Sequence, residues 1–196
     1  MKQNREYRYM DITASPDAEY MVEGYASTYK PYVLFVEDGV EYKEVIEPTA
    51  FDEADLSDVV FRIDHEGRVY ARSSAGTVEI GADEKGLWQR TDLSKTQAAK
   101  EVYADIKAGN YPKMSFAFIV ADGGDSYDRT THTRTISRIA KVFDVSPVAF
   151  PANPDTSLSV STRDYFNGVI EAEKAERLEE EKRERQKQLI RILSEV

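Results

Sequence analysis

The chain has two histidines and no cysteine, so a nucleophile that relies on an imidazole base must be a hydroxyl served by His65 or His132. Serine hydrolysis asks for that hydroxyl, for a base that takes its proton, and for a group that orients the base. His65 is the better base. It ends a row in which Val59, Phe61, Ile63 and His65 recur at every second residue, a spacing that points all four to one face of a strand. The imidazole then sits beside the turn Asp64-His65-Glu66-Gly67, where a strand meets a cleft. A lone histidine at a turn is more often a plain surface residue. Ser115 lies in Lys113-Met114-Ser115-Phe116-Ala117-Phe118; Phe116 and Phe118 face one way, Ser115 and Ala117 the other. Asp144 sits in the apolar run Val142-Phe143-Asp144-Val145-Ser146-Pro147-Val148, where an unpaired carboxylate is costly to bury. An imidazole N–H relieves that cost and fixes the useful tautomer, and an ion pair with Arg138 would relieve it as well. Spacing and periodicity leave both open. They raise His65, Ser115 and Asp144 to a candidate set and no further.

Other residues carry less. His132, in Thr130-Thr131-His132-Thr133-Arg134, reads as an exposed bystander on a polar alternating strand. Asp122, Asp125 and Asp128 share a glycine-bearing loop, but the spacing lacks the calcium-loop pattern and its terminal glutamate, and a solvated hairpin is expected. Asp64 and Glu66 flank His65 and could act as an acid–base pair, although neighbours along a strand face opposite ways. The Gly-x-Ser-x-Gly elbow, the Walker loop and the His-Glu-x-x-His zinc signature do not occur. No metal and no cofactor is expected.

Strands must hold these groups. Arg5 to Ile12, Tyr20 to Tyr29 and Val33 to Val36 read as strands. Glu37-Asp38-Gly39 reads as a hairpin turn into Val40-Glu41-Tyr42, and Ile46 to Leu56 as room for a short helix. A second hairpin joins Thr77–Ile80 to Leu87–Asp92 through Asp83-Glu84-Lys85-Gly86. The clearest helix starts at Ser94, because Ser94-Lys95-Thr96-Gln97 has the capping-box form. Ala98, Val102, Asp105 and Ile106 continue it, and Gly109 suits the left-handed C-terminal position. Lys113 to Val120 and Thr131 to Phe150 complete the strands. The expectation is an α+β fold, a β-barrel-like core with surrounding helices, plus a charged C-terminal helix.

The composition changes near Asn167, which divides the chain into a domain over 1–166 and an extension over 167–196. Residues 169–196 carry 8 acidic and 7 basic residues, with Glu173–Arg177 and Glu181–Arg185 four apart as on one helix face. Apolar residues stay sparse until Leu189, Ile190, Ile192 and Leu193. A solvated helix, docked or paired by its last turns, is expected; a tether to a scaffold or to another copy is the sharper alternative.

The net charge of −10 sets most of the surface against nucleic-acid phosphates. Apolar runs such as Val33 to Val36 are far too short to span a bilayer, and Met1-Lys2-Gln3-Asn4-Arg5-Glu6 lacks the apolar stretch of a secretory signal. Neither nucleic acid nor membrane is expected as a partner. The absence of cysteine fits a reducing cytoplasm.

Five blocks follow one another in an order and spacing that are specific as a set. They are Gly24-Tyr25-Ala26-Ser27, Glu47-Pro48-Thr49-Ala50-Phe51, Asp64-His65 at a strand end, Gly109 through Ser115-Phe116-Ala117-Phe118, and Val145-Ser146-Pro147-Val148 leading to Pro151-Ala152-Asn153-Pro154. On them the chain, from about Val22 to Leu158, resembles the prohead (capsid maturation) proteases of tailed phages, relatives of the herpesvirus assemblin proteases. The resemblance implies a herpesvirus-protease-like fold and the chain order histidine, serine, then an acidic residue or second histidine. That order falls on His65, Ser115 and Asp144, whereas His132 follows the serine too closely. Ala117 stands where the family often has glycine, a departure that bears on local packing. Backbone N–H groups near Ala152 and Asn153 are implied as oxyanion donors.

The implied function is a serine endopeptidase that cleaves scaffolding protein, or the scaffolding part of the major capsid protein, and itself. It is expected to be a homo-oligomer inside the viral procapsid in the host cytoplasm, or a prophage-encoded bacterial cytoplasmic protein. The charged extension is then a scaffold-targeting or self-cleaved segment. Two rivals stand beside this reading. A catalytically inactive capsid-assembly or scaffold-binding module predicts that Ser115→Ala changes nothing. A carboxylate hydrolase built on Asp64 or Glu66 predicts activity that survives the loss of Ser115.

Overall fold

The computed structural model describes residues 5–15, 18–149 and 160–194. Strands β1 (Glu6–Asp11), β2 (Thr13–Ala14), β3 (Met21–Thr28), β4 (Tyr32–Glu37) and β5 (Val40–Ile46) come first. A 3₁₀ turn over Pro48–Phe51, the short helix expected there, leads to β6 (Val60–Ile63) and β7 (Glu66–Arg72). Then follow β8 (Val78–Ala82), β9 (Gly86–Asp92), helix α1 (Gln97–Lys107), β10 (Lys113–Val120), β11 (Asp125–Asp128), β12 (Thr133–Ile136), β13 (Ile139–Val148) and helix α2 (Val160–Ser194). The chain forms two compact units, Met1–Leu158 and Ser159–Val196.

Three sheets build the first unit, ordered β1-β10-β13-β6-β7, β11-β12-β5-β4 and β2-β3-β9-β8. The mixed α+β class holds, but the barrel-like core with surrounding helices does not. Among the described residues the three sheets stay open and close into no barrel, and the first unit contains the single α-helix α1. The segment read as strand from Thr131 to Phe150 is broken. The backbone N–H groups of Ser137 and Arg138 both turn to the Gly124 carbonyl, at 2.8 and 3.0 Å. The chain therefore leaves the second sheet after Ile136 and enters the first at Ile139. A Cβ at Gly124 would lie 2.5 Å from the Arg138 carbonyl oxygen, so only glycine permits this approach.

Helix α1 starts two to three residues later than its sequence suggests. Asp92 Oδ1 accepts the Ser94 N–H at 2.8 Å, which holds the segment before the helix in a turn. Thr96 becomes the N-cap, its hydroxyl accepting the Ala99 N–H at 3.1 Å. The hydrogen bonds from Ser94, with Lys95 close by, hold the Asp92 carboxyl down at about 2. The C-terminus ends as expected on Gly109 at φ 84°. Gly109 N–H reaches the Ile106 carbonyl and Asn110 N–H the Asp105 carbonyl, both at 3.0 Å, the paired bonds of a Schellman motif. Ala99, Val102, Tyr103 and Ile106 form the buried stripe, one residue on from the Ala98 expected.

Strand β10 divides its side chains between two environments. Phe116 and Phe118 stack at 4.7 Å and join Phe51, Phe61, Val142 and Val145 in the core. Ser115 and Ala117 face away from them. Strand β1 pairs along β10 with Tyr7 opposite Ala117 and Arg8 opposite Phe116. Arg8 and Glu6 enter a buried charge network: Arg8 Nη2 binds Glu6 Oε2 at 2.9 Å, and Arg8 Nε binds Glu44 Oε1 at 2.5 Å. Arg134 Nη1 reaches Glu6 Oε2 at 2.6 Å and Glu44 Oε2 at 3.3 Å. The Tyr32 hydroxyl also donates to Glu44. Burial pushes the Glu6 carboxyl up, but the bonds from Arg134 and the charge of Arg8 outweigh it and hold the group below its usual range. The network ties β1 to β5 and β12.

Helix α2 is charged with both signs along most of its length, with ion pairs Glu179–Lys182 at 2.9 Å and Glu184–Lys187 at 2.7 Å. Leu178, Leu189 and Ile190 are exposed. No described helix is long and apolar enough to cross a membrane.

Candidate active site

The site begins with a strained turn. β6 and β7 pair so that Ile63 lies opposite Glu66, leaving Asp64 and His65 as a two-residue connection. Both have positive φ, 48° and 60°, as a type I′ hairpin turn requires at its two central positions. Asp and His are among the side chains that enter the left-handed region most readily. His65 therefore does not extend the row of Val59, Phe61 and Ile63 but leaves the strand altogether. The turn is pinned from three sides. Asp64 N–H donates to the Pro147 carbonyl at 3.1 Å, Ala149 N–H donates to Asp64 Oδ1 at 3.3 Å, and Arg62 Nη1 donates to the His65 carbonyl at 3.1 Å. The first two bonds fasten it to the end of β13, and the third ties it back to β6.

On the antiparallel pair β10 and β13, Ser115 lies opposite Ser146 and Ala117 opposite Asp144. Period-two alternation puts Ser115, Ala117, Asp144 and Ser146 on one face, away from Phe116. The His65 imidazole bridges this face. Its Nδ1 lies 2.6 Å from Asp144 Oδ1 and its Nε2 2.6 Å from Ser115 Oγ. A carboxylate oxygen only accepts, so Nδ1 carries the proton and the Nε2 lone pair faces the serine hydroxyl. Ser115 and Asp144 are fully buried, whereas the His65 side chain is 14% exposed. The ring of Tyr7 packs on the imidazole with centroids 4.3 Å apart and planes tilted by 58°. Burial first, then the charge of Asp144, raises the Tyr7 hydroxyl above its ordinary value. Chemically, the arrangement can pass the Ser115 proton to Nε2 while Asp144 offsets the charge that appears on the ring.

The other candidates are placed elsewhere. Arg138, the alternative partner for Asp144, donates instead to the Asp122 carbonyl at 2.9 Å. His132 precedes β12 of the second sheet; it is half-buried rather than exposed, with Nδ1 3.1 Å from the Tyr127 hydroxyl and its ring on Tyr42. Asp125 pairs with Arg134 at 2.7 Å, and Asp128 accepts the Thr130 N–H at 2.8 Å. Among the described residues no group of three acidic or histidine side chains converges as a metal site. Asp64 is engaged with the Ala149 backbone and Glu66 is exposed, so the two form no acid–base pair. Ala152 and Asn153 lie outside the described residues.

Two neighbours escaped the sequence reading. Ser146 donates to Asp144 Oδ1 at 2.7 Å; its signal was available, since it follows Asp144 by two residues on the same strand. Tyr7 had no such signal, because its approach depends on β1 pairing with β10 across more than a hundred residues.

In comparison with known proteins, no curated protein and no solved structure matches the chain. The model of one family, described as Caudovirus prohead serine protease, matches residues 6–169, a span that holds His65, Ser115 and Asp144.

Proposed function

The chain belongs to the caudovirus prohead serine proteases, a family of capsid maturation proteases acting on capsid or scaffold proteins, and from that premise we propose that Ser115, His65 and Asp144 are its catalytic set. The observation that carries the proposal is the pair of 2.6 Å contacts on the two nitrogens of one imidazole. His65 Nε2 takes the Ser115 proton as Oγ attacks a peptide carbonyl, and the same nitrogen then returns a proton to the leaving amine. Asp144 holds the tautomer and offsets the imidazolium charge. A positioned base of this kind contributes roughly 10²–10⁴-fold. Backbone N–H groups near Ala152 and Asn153 are the proposed oxyanion donors.

The proposed substrates are scaffolding protein or the scaffolding part of the major capsid protein, and the protease itself, cut inside the procapsid by a homo-oligomer related in fold to the herpesvirus assemblins. The domain over 1–166 carries the chemistry, and 167–196 is a scaffold-targeting or self-cleaved extension. The inactive-module reading is disfavoured by the hydrogen-bonded geometry, since a binding module has no need to line up a buried hydroxyl, an imidazole and a carboxylate.

Co-expression with the scaffolding and capsid proteins tests the assignment. The native chain should trim them, and Ser115→Ala and His65→Ala should leave them full-length. Trimming by the Ser115→Ala chain would overturn it.

A further inference from the structure

Asp144 Oδ1 accepts two hydrogen bonds at once, from His65 Nδ1–H at 2.6 Å and from Ser146 Oγ–H at 2.7 Å. Ser146 has no exposed surface, so water cannot serve its hydroxyl, and a buried hydroxyl without a partner is costly. Its partner is the carboxylate oxygen that faces the base. Rotation about the Cβ–Cγ bond of an aspartate is broad and nearly two-fold, so a single donor leaves the carboxylate free to turn. Two donors converging on one oxygen fix it. Strand register supplies the second donor: Ser146 is two residues from Asp144 on β13 and directly opposite Ser115 on β10.

We propose that Ser146 is a positioning residue, acting through Asp144 to hold Oδ1 against His65 Nδ1–H. The inference rests on the assignment of Ser115, His65 and Asp144 as the catalytic set. It makes the hydrogen-bonded line four-membered, from Ser146 through Asp144 and His65 to Ser115. The hydroxyl touches no reacting atom, and its contribution is orientation.

Two readouts test it. The first is the rate of labelling by a fluorophosphonate, which reports the nucleophile without a natural substrate. Ser146→Ala should slow it about 10-fold, the loss expected for one hydrogen bond to a charged group. Ser146→Thr, which keeps the hydroxyl, should restore it, and equal melting temperatures exclude a folding effect. The second is the downfield Nδ1–H proton resonance of His65, read in the Ser115→Ala background so that no self-cleavage intervenes. In the Ser146→Ala chain this proton should shift and exchange faster with water, returning to its original position in Ser146→Thr. An unchanged resonance and labelling rate in Ser146→Ala would overturn the proposal. Asp144→Asn separates the two levels: if it removes the resonance while Ser146→Ala does nothing, only the role of Ser146 fails. If Asp144→Asn leaves the resonance in place, the assignment of Asp144 fails with it.

Discussion

Two buried polar clusters share strand β1 and lie on opposite sides of it. Glu6 and Arg8 point into the network with Glu44 and Arg134, while Tyr7 between them packs on His65. In the first cluster two guanidinium groups meet the buried carboxylates Glu6 and Glu44, and Arg134 also pairs with Asp125 at its edge. Arginine does not release its proton in proteins, and here Glu44 raises Arg8 well above its ordinary value despite burial, which works the other way. That cluster can only hold strands together. The second cluster is a line of single hydrogen bonds holding one carboxylate, one imidazole and two hydroxyls, with the imidazole partly open to solvent. At its open end the Ser115 proton can pass to His65 Nε2. Burial and polarity are common to both, and what separates the clamp from the proposed catalytic set is whether a transferable proton lies at an accessible end.

That contrast can be broken from either side. The largest effect is expected from the line: Ser115→Ala should lower cleavage roughly 10⁶-fold and Asp144→Asn roughly 10⁴-fold, with the melting temperature of Ser115→Ala within about 2 °C of the native chain. Peptide cleavage and thermal melts on the same samples check this. The clamp should respond in the opposite sense. Glu44→Ala leaves Arg8 and Arg134 short of a partner in a buried site, and it should cost roughly 3–5 kcal/mol of stability. Labelling per folded molecule should stay within about two-fold of the native rate, as read from urea unfolding beside active-site titration.

The smallest effect is a change of slope with pH. The unfolded chain protonates Glu6 near its ordinary value of 4.5, whereas the folded chain keeps it ionised to lower pH. The unfolded state therefore binds more protons in that range, and stability rises with pH through it. Stability contributed by Glu6 is present above about pH 4.5 and is lost as the pH falls through the folded value. Urea midpoints measured from pH 6 down to pH 3 should show a shallower decline for Glu6→Gln than for the native chain.

The sequence made some of this legible and hid the rest for physical reasons. Local chemistry was readable: Gly109 ends α1, a short helical turn falls within Ile46 to Leu56, and Phe116 and Phe118 face the core while Ser115 faces away. The residues His65, Ser115 and Asp144 could be picked by type, by the cost of burying a carboxylate and by a family resemblance. Their convergence could not, because it depends on β6 pairing with β13 in parallel, across about eighty residues, and on a left-handed turn that takes His65 off its strand. The same holds for Glu44 and Arg134, which meet across ninety residues. The α1 start was misplaced because two capping residues, Ser94 and Thr96, compete within one turn and the Asp92 side chain decides between them. The stretch from Thr131 to Phe150 read as one strand because its sequence does not show the close backbone approach at Gly124, where it divides between two sheets.

The most direct test of the central claim is covalent labelling of the purified chain with a fluorophosphonate, read by intact mass beside Ser115→Ala and His65→Ala, alone and in the presence of scaffold and capsid proteins. One adduct on the native chain, absent from both variants, is the predicted result. An adduct that persists on Ser115→Ala, or none on the native chain even with scaffold and capsid protein present, would contradict it.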